Sequence, residues 1–581
     1  MDTRRPVPNA GRMINTATRS RFRFPAAIAV VTCVLAGGSV AAAAEETFPV
    51  AITVDAGRPL GVLRPIWRYF GADEPNYAYL KDGRKLLSEL GAMAPKDVFF
   101  RAHNMLCTGD GTPHLKWGSS NAYTEDAQGR AIYDWTITDR IFDTYLERGV
   151  RPYVQFGFMP RAMSVHPDPY EHHWQPGQKY GDIYLGWAYP PKDYAKWEEL
   201  CRRWTEHCVS RYGRAETETW WWELWNEPNI GYWQGTPEEF HRLYDHTVAG
   251  VRHALPTARI GGPETAGGPG GRFLGQFLEH CARGTNAATG RIGTALDLIS
   301  FHAKGQPQFV DGHVRMGISH QLQDIDKAMA VVAGFPEYRK TPIVIGESDP
   351  EGCAACQGPQ NGYRNGTMYS SYTAASFARK HELAAKHQVN LEGALTWAFE
   401  FEDQPYFAGF RVLASHGIDH PVLNTFRLMS RMSGQRLTTE SDGAVSLESI
   451  LREGVRQRPD VQALAALNGK RLTILVWHYH DDDLAGPAAQ VSLAITGLPG
   501  KTGNGTMTEY RIDAEHSNAY VVWQKMGRPA QPSAEQHRLL EQAGQLATMG
   551  ESRVVPLGKT STQLNLMLPR QGVSLVQLDL P

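Results

Sequence analysis

Apolar residues in this chain come first in short continuous runs and later in strict alternation with polar ones. Between about residues 62 and 435 eight short β-rich runs recur: "IWRYFG", "VFFRAH", "RPYVQFG", "TWWWELWNE", "RIGGPE", "LDLISFH", "PIVIGES" and "EGALTWAFE". Amphipathic stretches separate them, such as "YAKWEELCRRWTEHCVSRYG" at 194–213 and "SYTAASFARKHELAAKHQ" at 371–388, whose apolar positions repeat with a helical period. The runs are apolar at most positions, as strands are when both faces are covered. Eight strand–helix units predict an α/β fold, a (β/α)8 TIM barrel, over residues 62–435. The rival is an open doubly wound sheet. It is disfavoured because no glycine-rich phosphate fingerprint follows the first run.

After residue 435 the pattern changes. "VQALAALNGKRLTILVWHYH", "AAQVSLAITGLPG", "TMTEYRIDAEHSNAYVVW" and "VSLVQLDLP" alternate apolar and polar residues between turn signals. This predicts an accessory antiparallel β-sandwich over 436–581. Residues 533–549 read as one helix inserted in it. The segment 45–61, containing "FPVAITVDAG", has the same alternation and is expected to lend the sandwich a strand. A chain of 581 residues has room for a large catalytic domain and an accessory one.

Residues 1–44 read as a secretory signal peptide: arginines precede a weakly apolar run that ends in small residues at Ala42-Ala43-Ala44. A membrane anchor fits less well, because the Gly- and Ala-rich run is weakly apolar for a spanning helix. The protein is therefore expected to be exported, periplasmic or secreted. Removing this segment takes six arginines and one aspartate from totals of 59 basic and 61 acidic residues, leaving a net charge of −7. With no basic stripe, nucleic acid is not an expected partner, nor is a membrane once the signal is gone. Six cysteines remain, too few for a disulfide framework in a chain this long. Cys201 and Cys208 fall on one helical face. Cys353 and Cys356 form a lone C-x-x-C, compatible with a local disulfide. No second such pair accompanies it, so no zinc site, metal or other cofactor is expected.

In a barrel of this kind the active site lies at the C-terminal ends of the strands. Glu227 ends the fourth run and Glu347 the seventh. Strands four and seven face each other across a closed barrel, so both carboxylates can address one bound group. Each glutamate alone could be a helix cap or an ion-pair partner. As a pair they suit glycoside hydrolysis, in which one carboxyl protonates the leaving oxygen and the other attacks the anomeric carbon or activates water. Strict alternation would turn Asn226 and Glu227 to opposite sides, so a bend or bulge at the strand end is required. Trp220, Trp221 and Trp222 read as packing residues and Glu223 as a buried polar residue of the barrel.

"WNEPN" at 225–229 resembles the acid/base motif of the large clan of retaining (β/α)8 glycosidases. More narrowly, the chain resembles glycoside hydrolase family 39, which holds β-xylosidases and α-L-iduronidases. The resemblance covers nearly all of the mature chain. "RAH" at 101–103, "SFH" at 300–302, "PIVIGES" at 342–348 and "TWAFEFEDQ" at 396–404 carry it in the barrel, and "RIDAEHSNAYVVW" at 511–523 in the sandwich. It implies Glu227 as general acid/base, Glu347 as nucleophile and Asn226 as the partner of the sugar 2-hydroxyl. It also implies His103 and His302 as hydroxyl binders, Trp397 as a stacking platform and Glu402 as a grip on the non-reducing end.

Lys304, in "FHAKG", stands where the xylosidases of the family carry Tyr and the iduronidases carry Lys followed by Gly. "ESDP" at 347–350 is similar to the iduronidase "EADP" pattern. A lysine is a point charge suited to an anionic sugar, or it can bond hydroxyls or pair with Glu402 or Asp403. Arg364 is the one loop candidate for a second cation. The expectation is a retaining exo-glycosidase acting on terminal β-D-xylosyl residues of an oligosaccharide. The alternatives within the class are α-L-iduronidase-like, α-L-arabinosidase or β-galactosidase activity. A carbohydrate-binding protein without catalysis is the alternative of another class.

Overall fold

A computed structural model of the chain describes residues 46–267, 270–498 and 503–581. The expected signal segment, 1–44, lies outside the described residues. Eight parallel strands form the barrel: Tyr69–Ala72, Val98–Ala102, Val150–Phe156, Trp221–Leu224, Arg259–Thr265, Leu298–His302, Ile343–Glu347 and Leu391–Ala394, each paired with the next. The first and eighth meet through a Phe70–Thr396 bridge, with the Thr396 N–H donating to Tyr69 O at 3.0 Å and the Gly71 N–H to Thr396 O at 3.0 Å.

Alternation along these strands sorts the side chains into two populations. Outward residues such as Phe70, Phe100, Val154, Trp222, Ile260 and Ile345 join the large core shared with the helices. Inward residues stack in layers. The lowest is apolar and aromatic: Tyr69, Phe99, Tyr153, Trp221, Leu298, Val344 and Leu395. Two residues further along the strands the interior turns polar, with Arg101, Gln155 and Glu223, all fully buried. Trp220, Trp221 and Trp222 are therefore packing residues on both sides of the barrel wall.

Local sequence sets the helices. Pro237–Ala254 begins with a capping box between Thr236 and Glu239 and a proline at its first position. Tyr194–Tyr212 is capped by the Asp193 carboxylate. It buries Cys201 and Cys208 as free thiols on its inner face.

The second domain is built on one continuous hydrogen-bonded path of strands. Thr47–Val62 sits inside it, antiparallel to Gln435–Ser441 and parallel to Ala488–Thr496. The sheet is thus mixed at that one pair, because a strand preceding the barrel is inserted between two that follow it. Its two halves share a core of Val50, Ile52, Val491, Leu493, Leu564 and Val576. On the strand Arg471–Tyr479 the alternate residues Leu475, Trp477 and Tyr479 join the barrel core instead. Residues 533–549 hold the helix Ala534–Gly544, followed by a short strand, Ala547–Thr548. The stretch "AYVVW", whose β-branched and aromatic residues favour a strand, is a helix over Ala519–Lys525. The Asn518 side chain caps it by accepting from the Val521 N–H at 3.3 Å.

One buried ion pair joins the domains. Arg379, on the helix Thr367–His387, donates to both carboxylate oxygens of Asp460 at 3.0 and 3.1 Å. Asp460 also accepts from Trp477 Nε1 at 3.0 Å and from the Val445 N–H at 2.8 Å. Asp460→Ala removes the buried partner of Arg379, leaving it the half-exposed Glu382 at 2.8 Å, and strips Trp477 Nε1 and the Val445 N–H of their acceptor, so urea unfolding should show a loss of roughly 1–3 kcal/mol. A loss below about 1 kcal/mol would contradict this reading of the interface.

Candidate active site

The polar layer of the barrel is organised around Arg101. Its guanidinium is wholly buried and pairs with Glu223. It lies 3.5 Å from Glu264 Oε1 and 3.6 Å from Glu347 Oε1. It also donates to Asn226 Oδ1 at 3.2 Å and sits over the Trp397 ring, 5.0 Å from its centroid. Gly346 makes the arrangement possible: a Cβ there would come within 1.7 Å of Glu264 Oε2.

Above this layer lie the strand-end groups. His302 ends the sixth strand. Its Nδ1 is 2.9 Å from Glu227 Oε1 and 3.8 Å from Glu347 Oε1, and its Nε2 is 2.9 Å from Glu264 Oε2. The two glutamate oxygens are thus separated by no more than the sum of the first two distances. His103 lies 3.4 Å from Glu347 Oε1 and 3.5 Å from Asp73 Oδ1 through Nε2, with Nδ1 3.1 Å from Gln155 Oε1. Lys304 Nζ sits 2.7 Å from Glu347 Oε2 and 2.8 Å from Asp349 Oδ2. Trp397 packs 4.2 Å from the His103 ring and donates through Nε1 to Asp73 Oδ1 at 3.1 Å.

The backbone resolves the conflict between Asn226 and Glu227. The fourth strand stops at Leu224. Trp225 and Glu227 then adopt left-handed φ angles of 67° and 42°, and the Glu227 N–H donates to Glu264 O at 2.8 Å. Two left-handed residues in three re-aim consecutive side chains, a conformation disfavoured for bulky residues. Asn226 then faces Arg101, and Glu227 faces a cleft of about 530 Å³ that is also lined by Tyr180, Tyr184, Gln306 and the Cys353–Cys356 disulfide.

The charges divide the carboxyls into two kinds. Burial would raise Glu347, but the Lys304 and His302 cations outweigh it and hold it well below the usual carboxylate range. Burial would also raise Glu264, but Arg101 and then its neighbours push it down to about 2. Glu223 is pushed up mainly by burial, and the Glu264 charge adds to this against the pull of Arg101. Burial alone would lower His302. The Glu347 charge, then the contacts with Glu227 and Glu264, raise it to about 9, so it is cationic at neutral pH. His103 is pushed down by burial and stays neutral.

Glu227, Glu347, His103, Asn226, His302, Lys304 and Trp397 therefore share one cluster. Glu402 is placed elsewhere: its Oε1 accepts from the N–H groups of Asp82 at 2.7 Å and Gly83 at 3.3 Å, capping the helix Lys81–Met93. That is the helix-cap role open to any loop acid, in place of the hydroxyl grip expected of it. Arg364 is not available as a second cation. It is buried, donates to the carbonyls of Cys353, Ala354, Cys356 and Gly409, and pairs with Glu351. The sequence reading missed Arg101, Glu264, Asp73 and Asp349. Arg101 stands two residues before His103, on the same strand face. Glu264 ends the fifth run just as Glu227 ends the fourth, so the strand-end rule could have found it.

The model of the glycosyl hydrolases family 39 matches residues 50–551. A β-xylosidase of Geobacillus stearothermophilus is 24% identical over 466 residues, 78% of this chain and 82% of that protein. An α-L-iduronidase of Mus musculus is 27% identical over 525 residues, 84% of this chain and 75% of that protein. The crystal structure of a monomeric β-xylosidase from Caulobacter crescentus superposes with a TM-score of 0.70 at 20% identity, over 91% of this chain and 99% of that one.

The electrostatics of His302 predict an alkaline loss of stability. Its folded pKa of about 9 exceeds the unfolded value of roughly 6.5. The folded state then holds the extra proton between these values. The stabilisation is fully present below about pH 6.5 and is lost as pH rises through 9, at most on the order of 3 kcal/mol. Urea unfolding from pH 6 to 10 should show this decline in the parent protein and a flatter one in His302→Gln. Equal slopes would contradict the assignment.

Proposed function

The chain belongs to glycosyl hydrolase family 39, and from that premise we propose that this glycosidase is a retaining exo-acting β-xylosidase, with Glu347 as nucleophile and Glu227 as general acid/base. One observation carries the mechanism: a single imidazole nitrogen, on His302, reaches both carboxylates. The sum of those two distances, 2.9 and 3.8 Å, is the upper limit on the separation of the two oxygens, which admits the roughly 5–5.5 Å of retaining enzymes. Inverting sites need about 6.5–9.5 Å to admit a water.

The first step follows from the charges. Glu347, held ionised by Lys304, His302 and Arg101, attacks the anomeric carbon, while Glu227 gives its proton to the leaving oxygen. In the second step Glu227 takes a proton from water, which attacks the same carbon and releases Glu347. Forming the glycosyl ester removes the Glu347 charge. Asp349 and Glu264 then remain as partners for Lys304 and His302, so neither cation is stranded in the buried site. Asn226 is prepared for the sugar. Its Oδ1 is engaged by Arg101, while its buried Nδ2 has no partner among the described residues. That amide N–H is the donor assigned to the 2-hydroxyl, a contact that strengthens in the oxocarbenium-like transition state.

The cations favour a neutral sugar. Lys304 is balanced by two carboxylates and Arg364 by its loop, so neither offers unopposed charge to a uronate. The second reading, an α-L-iduronidase, rests on Lys304 itself. Its side chain keeps 15% of its exposure, and Gly305 beside it lines the cleft. The disulfide between Cys353 and Cys356 supports an exported protein.

A panel of aryl glycosides tests the substrate. The β-D-xyloside should exceed the α-L-iduronide in kcat/KM by at least about a hundredfold. The reverse order would transfer the assignment to the iduronide. Glu347→Ala should lower kcat by at least about 10³-fold with sugar binding largely retained. A rate within tenfold of the parent would remove Glu347 from the mechanism.

A further inference from the structure

A second cluster of reactive side chains lies on the loops above the barrel, apart from the carboxylate pair. His114 belongs to the loop after the second strand, where a bridge between His114 and Trp117 fixes the turn and Trp117 stacks on the imidazole at 5.9 Å. Glu171 and His173 belong to the loop after the third strand. Their segment carries no helix or turn, and alternate residues of an extended chain face the same side. His172, between them, turns the other way and is buried against Trp117. One ligand atom from each of His114, Glu171 and His173 lies within 4.8 Å of the other two.

The spacing is compatible with a metal. His114 Nε2 is 3.3 Å from Glu171 Oε1, a hydrogen bond whose place a cation would take. Two ligands of a tetrahedral zinc, each bonded at about 2.0–2.1 Å, are separated by roughly 3.3–3.4 Å. The His173 ring is 5.0 Å from the His114 ring, tilted by 37°, and one of its nitrogens lies within 4.8 Å of the other two ligand atoms. Sequence spacing hides the site, since 57 residues separate His114 from Glu171.

We propose that His114, Glu171 and His173 form a site for a borderline divalent transition cation of the Zn²⁺ type, with the remaining position left to water. Two imidazoles and one carboxylate select such a cation over the hard, oxygen-seeking Ca²⁺ and Mg²⁺. The site joins two loops, and the one after the third strand also lines the cleft. Lys116, two residues after His114, pairs with Asp73 and lies over the Tyr180 ring at 4.9 Å, and Tyr180 lines the cleft beside Glu227. The role is a clip between loops, outside the hydrolytic chemistry.

The test is calorimetric titration of Zn²⁺ into the full chain stripped of metal by a chelator, with the zinc anomalous signal located in crystals of the loaded protein. One equivalent should bind saturably, raise the unfolding temperature and give an anomalous peak between the three side chains. Ca²⁺ and Mg²⁺ should do none of these. His173→Ala, an exposed position that leaves the fold intact, and Glu171→Gln should each weaken Zn²⁺ binding at least about tenfold. Absence of saturable binding, equal affinity in both variants, or a peak at other histidines would overturn the proposal.

Discussion

The site depends on one buried cation. Arg101 sits inside the barrel with no exposure, among the carboxyls of Glu223, Glu264 and Glu347. A guanidinium there is costly unless it is paired, and three carboxylates would be costlier without it. The compromise divides the acids: Glu347 and Glu264 are pushed down and Glu223 is pushed up. Arg101 also holds the oxygen of Asn226, so the same group that keeps the nucleophile charged orients the amide presented to the sugar.

Around this centre each strand end adds one function. Strand two supplies Arg101 and His103, strand four Asn226 and Glu227, strand five Glu264, strand six His302, and strand seven Glu347. His302 links three of these strands by touching Glu227, Glu264 and Glu347. Left-handed residues at Trp225, Glu227 and Glu264 are conformations of the kind that cost about 1–3 kcal/mol each. They are held by the aromatic layer beneath and the helices outside, where the side chains are buried.

Much of this was legible in the chain. The eight apolar runs mark the eight barrel strands, because a strand covered on both faces is apolar at most positions. Glu227 and Glu347 could be singled out because a carboxylate at the end of such a run is otherwise hard to place. What stayed hidden depends on three-dimensional partners. Arg101 reads as an ordinary strand arginine until Glu223, Glu264 and Glu347 are seen around it. Glu402 shares its loop with functional residues, yet its oxygen meets the free N–H groups of a helix more than 300 positions away in sequence. Arg364 looks like an available cation until the carbonyls of the disulfide loop surround it. The helix Ala519–Lys525 escaped because "AYVVW" is rich in β-branched and aromatic residues, and only the Asn518 cap announces it.

The central claim is that the carboxylates of Glu227 and Glu347 close on one anomeric carbon with no room for a water between Glu347 and the sugar. The most direct measurement is proton NMR of the first sugar released from an aryl glycoside, recorded before mutarotation. The account predicts that this sugar has the anomeric configuration of the substrate. Release of the opposite anomer would contradict it.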